Sequence, residues 1–123
     1  MTEYIVRVYE NGTIEWYLNG KLHREDGPSI EYPDGTKQWW FNGERHREDG
    51  PAVEYPDGTK HWFFNGKLHR EDGPACEQAN GTKFWFFNGD SLTEEEFNQR
   101  VNVKEMSIDQ IQKMLGYKIN IVE

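Results

Sequence analysis

Three identical tetrads of histidine, arginine, glutamate and aspartate are the residues of this chain whose types could do chemistry. They begin at His23, His46 and His69. A histidine with nearby carboxylates can ligate a metal ion or exchange protons as a general acid or base. Catalysis, however, needs one unique set of converging groups, whereas each tetrad has an equivalent copy in the next repeat. The repetition therefore favours a structural or a binding role.

Each tetrad continues as Gly-Pro, so that its last residues are typical of a turn. In the structural interpretation, His stacks on Trp, Arg bridges to Glu or Asp of a neighbouring unit, and Asp caps the turn by bonding backbone amides. In the alternative, the charged edge binds a partner. The sequence has no Walker loop, dinucleotide fingerprint, paired CxxC, HExxH or GxSxG. We therefore predict no enzyme, no catalytic residue, no metal and no cofactor.

The tetrads open a tandem 23-residue repeat, whose second copy reads HREDGPAVEYPDGTKHWFFNGKL. The N-terminal segment VYENGTIEWYLNGKL aligns in the same register without the HREDGP half, which predicts a capping half-repeat. Tyr-Pro-Asp-Gly-Thr, at residues 32–36 and 55–59, predicts a type I turn in the first two full units, and Asn-Gly predicts a second hairpin turn after each aromatic strand. If Tyr55 pairs with Thr59, Glu54 faces Lys60. The chain is thus predicted to be a continuous antiparallel meander.

The predicted fold is mainly β, with tandem 23-residue β-hairpin repeats that form an elongated, curved antiparallel sheet and a small C-terminal α/β cap. Residues 1–90 form the four-hairpin array, and residues 91–123 a helix-helix-strand segment. In that segment, Ser91 and Thr93 before three glutamates are typical of a helix start, and Ser107 begins a second helix. Alternating apolar residues at 117–121 predict a closing strand.

Alternation along the strands predicts an aromatic ladder on each face of the sheet. The first ladder consists of Trp16, Trp39, Trp62 and Trp85 with Leu18, Phe41, Phe64 and Phe87. The second either packs in a core, under the helices or in a self-associated pair, or forms a groove for a partner. The predicted partner-binding residues are this second ladder and the Arg and Glu of the tetrads: Tyr17, Trp40, Phe63, Phe86, Arg24, Glu25, Arg47, Glu48, Arg70 and Glu71.

Charge and cysteine content restrict the partners and the compartment. Fourteen basic against 22 acidic residues give a net charge of −8, which disfavours direct contact with nucleic acid or anionic membranes and favours basic partners. The single cysteine, Cys76, stands where other units have Ile30 and Val53, so we expect a small buried hydrophobe. With no apolar leader and no 18-residue apolar stretch, a cytoplasmic location is expected.

The strings DGTKQWWFNG and FNGKLHREDGPA resemble variant MORN-type repeats, and the HREDGP-rich version resembles small proteins encoded by bacteriophages and bacteria. The resemblance covers about residues 4 to 90. It implies hairpins stacked along a sheet and a protein-scaffolding role, here a binder or inhibitor of a bacterial host protein of a defence or nucleic-acid-processing complex, acting in the host cytoplasm. Two alternatives stay open. One is an acidic mimic of nucleic acid that competes for a DNA- or RNA-binding protein, and the other is a structural repeat protein that self-assembles into homo-oligomers.

Overall fold

The computed structural model describes residues 3–101, and the predicted second helix and closing strand lie outside the described residues. The five strands that flank the first tetrad and its cap are β1 (Tyr4–Val8), β2 (Ile14–Leu18), β3 (Lys21–Leu22), β4 (Ile30–Glu31) and β5 (Lys37–Gln38). The next strands are β6 (Trp40–Phe41), β7 (Glu44–Arg45), β8 (Val53–Glu54), β9 (Lys60–His61), β10 (Phe63–Phe64) and β11 (Lys67–Leu68). The last elements are β12 (Cys76–Glu77), β13 (Lys83–Phe87), β14 (Asp90–Leu92) and the helix α1 (Glu94–Val101).

The fold is mainly β, built around an open antiparallel sheet, as predicted. Ten strands form this sheet in the order β1-β2-β4-β5-β8-β9-β12-β13-β14, with β3 attached to β2. The hairpins β6-β7 and β10-β11 form two separate two-stranded sheets. Each of the first two full repeats therefore contributes one hairpin to the large sheet and one hairpin beside it, whereas the third repeat keeps β12, β13 and β14 in the large sheet.

The turns set the predicted register. The Tyr55 amide donates to the Thr59 carbonyl at 2.9 Å, and Glu54 lies opposite Lys60. At the second turn, Asn65 has a φ of 50°, which asparagine tolerates better than most residues. Both hairpin predictions are confirmed.

The prediction of one continuous meander is wrong, because the aromatic strands of the two central repeats break at Trp39 and Trp62. The Trp39 amide still donates to Ala52 in the next repeat, at 2.7 Å, but at Trp40 the chain leaves the large sheet. In the first unit the Ser29 hydroxyl bonds both the amide and the carbonyl of Trp40, at 2.9 Å each. These side-chain bonds replace the ladder bonds that a continued strand would make.

The core is a row of small and medium-sized side chains rather than a large apolar centre. Ile30, Val53 and Cys76 occupy equivalent positions and are buried. Cys76 is therefore the small buried hydrophobe that the sequence predicts, and burial raises the pKa of its thiol.

The helix α1 closes the C-terminal end of the described chain. The Thr93 hydroxyl accepts a hydrogen bond from the Glu96 amide, and the Glu96 carboxylate accepts one from the Thr93 amide, both at 3.1 Å. This reciprocal cap confirms the predicted helix start. Phe97 is buried where the helix packs on β13 and β14.

Candidate functional site: the tetrad loops

The arginine of each tetrad stacks on the tryptophan eight residues before it. The distance from the guanidinium carbon to the ring centroid is 3.9 Å for Arg24, 3.8 Å for Arg47 and 3.9 Å for Arg70. The tryptophans are Trp16, Trp39 and Trp62. The interpretation that histidine stacks on tryptophan is therefore wrong, because the loop folds back and places arginine there instead.

Hydrogen bonds within the repeat fix the stacked guanidinium in place. Arg47 Nε donates to Asp49 at 3.1 Å, and Nη1 donates to the Pro51 carbonyl at 3.0 Å and to Glu54 at 3.3 Å. A Cβ added at Gly50 would lie 3.0 Å from the Arg47 guanidinium carbon. The guanidinium thus lies between an indole ring and a bare glycine backbone, and its carboxylate partners belong to its own unit rather than to a neighbour.

The tetrad aspartate therefore binds arginine instead of capping a turn. The turn caps are the aspartates of the Tyr-Pro-Asp-Gly-Thr segments, where Asp34 and Asp57 each accept the amide two residues later at 2.8 Å. These hydrogen bonds lower the pKa of both carboxyl groups.

The tetrad histidines each accept a backbone hydrogen bond and pack on phenylalanine. His46 Nδ1 accepts the Asn65 amide at 3.0 Å, and the His46 ring lies 4.4 Å from Phe64 and 6.0 Å from Phe41. Since an amide donates to Nδ1, the neutral ring carries its proton on Nε2, which lies 3.6 Å from Glu48. His23 and His69 repeat this arrangement. The hydrogen bond at Nδ1 and the packing of the ring on phenylalanine thus position the loop.

Six carboxylates of the three loops remain largely open to solvent. The tetrad glutamates are 64–79% exposed and the aspartates 82–87% exposed. Each aspartate is paired with arginine, but each glutamate contacts only the edge of a histidine. Among the tetrad residues, the glutamates therefore make the fewest contacts within the protein and are accessible to a partner.

Two grooves, which we call the tetrad grooves, separate the three loops. The first, of 640 Å³, lies between residues 24–27 and 46–49 and is floored by Trp39 and Phe41. The second, of 760 Å³, lies between residues 47–51 and 69–72 and is floored by Trp62 and Phe64. Each is lined by four carboxylates and two arginines, so both carry net negative charge. Phe41 and Phe64 are 42% and 41% exposed, which provides an aromatic surface among these charges.

The tetrad grooves bring together one part of the predicted partner-binding set and exclude the other. Arg24, Glu25, Arg47, Glu48, Arg70 and Glu71 all line the grooves. The second ladder does not, because neighbouring side chains of a strand point to opposite faces and the grooves contain Phe41 and Phe64. Its members Tyr17, Trp40, Phe63 and Phe86 are each half-buried.

On that opposite face, sequence reasoning missed Arg45. Its guanidinium carbon lies 5.2 Å from the Trp40 ring and 5.3 Å from the Phe63 ring, and its Nε is buried without a hydrogen-bond partner. Burial, and then the charge of Arg45, lower the pKa of His61. Comparison of the repeats could have identified Arg45, because it is a charged residue at a position where other units have Leu22 and Leu68.

No family model, curated protein or solved structure matches this chain. Among residues 3–101, no three His, Cys, Asp or Glu side chains are grouped so that they could hold a metal ion. Within the same part of the chain, no helix has the length and apolarity required to cross a membrane.

Proposed function

We propose that this chain is a non-enzymatic protein-interaction module that binds its partner through the tetrad grooves. The observation that carries the proposal is the division of roles within the loops. Arginine and histidine are engaged in internal contacts, whereas the glutamates and the rings of Phe41 and Phe64 face solvent. A negative rim would steer a basic partner, and the aromatic floor would anchor it.

The resemblance to bacteriophage-encoded repeat proteins directs the search for the partner to bacterial cytoplasmic proteins, including those of defence and nucleic-acid-processing complexes. An inhibitor of such a protein would need only to cover a basic surface. Imitation of nucleic acid is a weaker proposal, because Arg24, Arg47 and Arg70 lie between the carboxylates and interrupt the negative charge.

The test is affinity capture from bacterial extracts, with and without phage infection, using matched variants of the full chain. The groove variant E25Q/E48Q/E71Q removes three exposed charges and leaves the aspartate–arginine pairs intact. The control E3Q/E10Q/E95Q removes three exposed charges outside the grooves. We expect one stoichiometric protein to be retained by the wild type and the control and to be lost by the groove variant.

A further variant, W40A/F63A, tests the second ladder, with circular dichroism as the check that it folds. Capture that survives the groove variant but is lost by a folded W40A/F63A would move the interface to the opposite face. Absence of any captured protein from both extracts would overturn the proposal.

A second candidate function, self-assembly, is favoured by one specific observation. Strand β1 is the terminal strand of the large sheet in the described part of the chain, and it exposes Ile5 at 64% and Val8 at 70%. An exposed apolar edge strand is a template for pairing with a second copy. Light scattering across a concentration series tests this candidate, and a charged substitution, Val8→Lys, would dissolve an assembly that uses this edge.

A further inference from the structure

The spacing of the tetrad grooves selects the kind of partner segment that can fill both at once. Equivalent loops are separated by two strands of the large sheet. Neighbouring strands lie about 4.8 Å apart, so the grooves recur roughly every 9.6 Å along the array. The ring distances agree with this pitch, because Phe41 lies 4.3 Å from His23 and 6.0 Å from His46.

We propose that the tetrad grooves bind an extended polyproline II segment that carries a basic side chain at every third residue. A polyproline II helix has three residues per turn and rises about 3.1 Å per residue, so every third side chain points the same way about 9.3 Å further on. A β-strand returns to the same face after two residues, about 6.7 Å, which does not match. This inference rests on the proposed function and narrows it to one class of partner.

The chemistry of each groove fits a basic side chain. Glu25 and Glu48 stand on the two sides of the first groove, and Glu48 and Glu71 on those of the second. Between them, the exposed part of the Phe41 or Phe64 ring offers an apolar surface for the aliphatic part of an arginine or a lysine. The protein uses the same combination internally, where Arg47 lies on Trp39 and pairs with Asp49 and Glu54.

The aromatic floor also favours this backbone conformation over others. Aromatic-lined grooves are the usual docking sites for polyproline II segments, which lose little conformational entropy on binding because they are already extended. Glu48 belongs to the loop shared by both grooves and lines each of them, so a segment that fills both grooves would place a basic side chain on either side of it. Two linked contacts at matched spacing gain affinity because the second forms at a high effective concentration.

The experiment titrates the full chain with synthetic peptides of one composition, six prolines and two arginines, in which the arginines are adjacent or are separated by one, two or three prolines. Isothermal titration calorimetry at low salt measures the affinity. We expect the peptide with two intervening prolines to bind at least about tenfold more tightly than the others. E25Q/E48Q/E71Q is expected to lose that preference, and E3Q/E10Q/E95Q to keep it.

Equal affinity for all spacings would overturn the inference but leave the proposed function, since basic segments would then bind without register. The inference would also be overturned, and the proposed function kept, if none of these peptides bound while the groove variant still lost a captured bacterial protein. A helical alanine-rich peptide with arginines seven residues apart, which spans about 10.5 Å, is the remaining probe. If that peptide bound more tightly than the proline-rich peptides, the partner segment would be a helix and the proposal would be overturned.

Discussion

At the scale of single residues, nearly every position of the repeated segment HREDGP makes a contact that explains its residue type. In the second copy, His46 accepts an amide, Arg47 covers an indole, Asp49 holds Arg47, and the Pro51 carbonyl accepts from it. Gly50 leaves room for the guanidinium. Only the glutamate lacks a comparable internal role, which is why the binding proposal is tested there.

The sandwich of Arg47 between Trp39 and Gly50 predicts a specific coupling. Gly50→Ala places a methyl group 3.0 Å from the guanidinium carbon and displaces the arginine from the ring. We expect the free energy of unfolding to fall by about 1 kcal/mol, the scale of a partly buried cation–π contact. Urea unfolding, followed by tryptophan fluorescence, measures it.

A double-mutant cycle provides the control for that coupling. In an Arg47→Ala background the methyl group meets no guanidinium, so Gly50→Ala is expected to cost much less there. Equal costs in both backgrounds would show that the glycine serves the backbone and not the arginine.

Arg45 gives a second prediction at this scale, because leucine at the equivalent positions offers a matched substitution. Arg45→Leu removes the nearby positive charge, so the pKa of His61 is expected to rise toward its ordinary value of 6.5, while burial still holds it below that value. Proton NMR titration of the His61 ring measures the shift. Arg7→Leu removes a charge that stacks on Tyr17 instead and is expected to leave the His61 pKa unchanged.

The lowered pKa of His61 also makes the stability of the fold depend on pH. The His61 pKa is lower in the folded than in the unfolded chain, so the unfolded chain binds the proton more tightly and stability falls as the pH drops below about 6.5. Arg45→Leu is expected to flatten this decrease. An unaltered slope would contradict the assigned effect of Arg45.

At the scale of elements, the hairpins could be predicted and the strand breaks could not. The turn residues act locally, so Tyr-Pro-Asp-Gly-Thr and Asn-Gly determine the register without reference to the rest of the fold. The run KQWWF contains no glycine or proline at which a strand would end. At the break the Trp39 amide bonds the Ala52 carbonyl, a partner that is distant in sequence. The strand of the second repeat breaks in the same way at Trp62, whose amide bonds the Ala75 carbonyl.

The turn aspartates supply the prediction that belongs to this scale. Backbone amides hold the pKa of Asp34 and Asp57 below the usual 3.8, so their contribution to stability is complete above about pH 4 and is lost as the pH falls through the lowered pKa. D34N/D57N is expected to fold with the same turns and to show a weaker loss of stability between about pH 4 and pH 2. Thermal unfolding at a series of pH values measures this loss.

The chain itself contains the control for that substitution. Asn11 and Asn80 stand at the equivalent positions of the outer hairpins and accept the same amide bond, at 2.9 Å each. Asparagine is therefore compatible with the turn geometry. If the variant and the wild type lose the same stability between about pH 4 and pH 2, these carboxylates do not contribute to acid unfolding.

At the scale of the whole molecule, contacts that recur from unit to unit join the array into one stack. Tyr4, His23, Phe41, His46, Phe64, His69 and Phe87 form a continuous row of rings with centroids 4.3–6.3 Å apart. A parallel row alternates glutamate and lysine from Glu31 to Lys83 across six strands, which opposes register slips. Both rows consist of contacts between neighbouring units.

The candidate site emerges only at this scale, which limits what the sequence could predict of it. The charged loops were identifiable because the tetrad repeats, and the alternation of side chains correctly separates the two ladders. A groove, however, exists only between two loops, and its lining combines Trp39 and Phe41 of one repeat with Arg47 of the next, which lies on the Trp39 ring. That packing involves two units at once and has no local sequence signal.

Because the stack is built from nearest-neighbour contacts, removal of one whole repeat is expected to leave a folded chain. Deletion of residues 46–68 joins Arg45 to His69 and places Arg70 eight residues after Trp39, so the stacking contacts re-form with one groove fewer. We expect a cooperative unfolding transition at a lower temperature, with a urea m-value reduced in proportion to the surface lost. Deletion of residues 46–57, half a repeat, breaks the register and serves as the control. If the whole-repeat deletion is as unfolded as the half-repeat deletion, stability resides in a particular unit rather than in the repeated contacts, and the one-dimensional description of the fold is wrong.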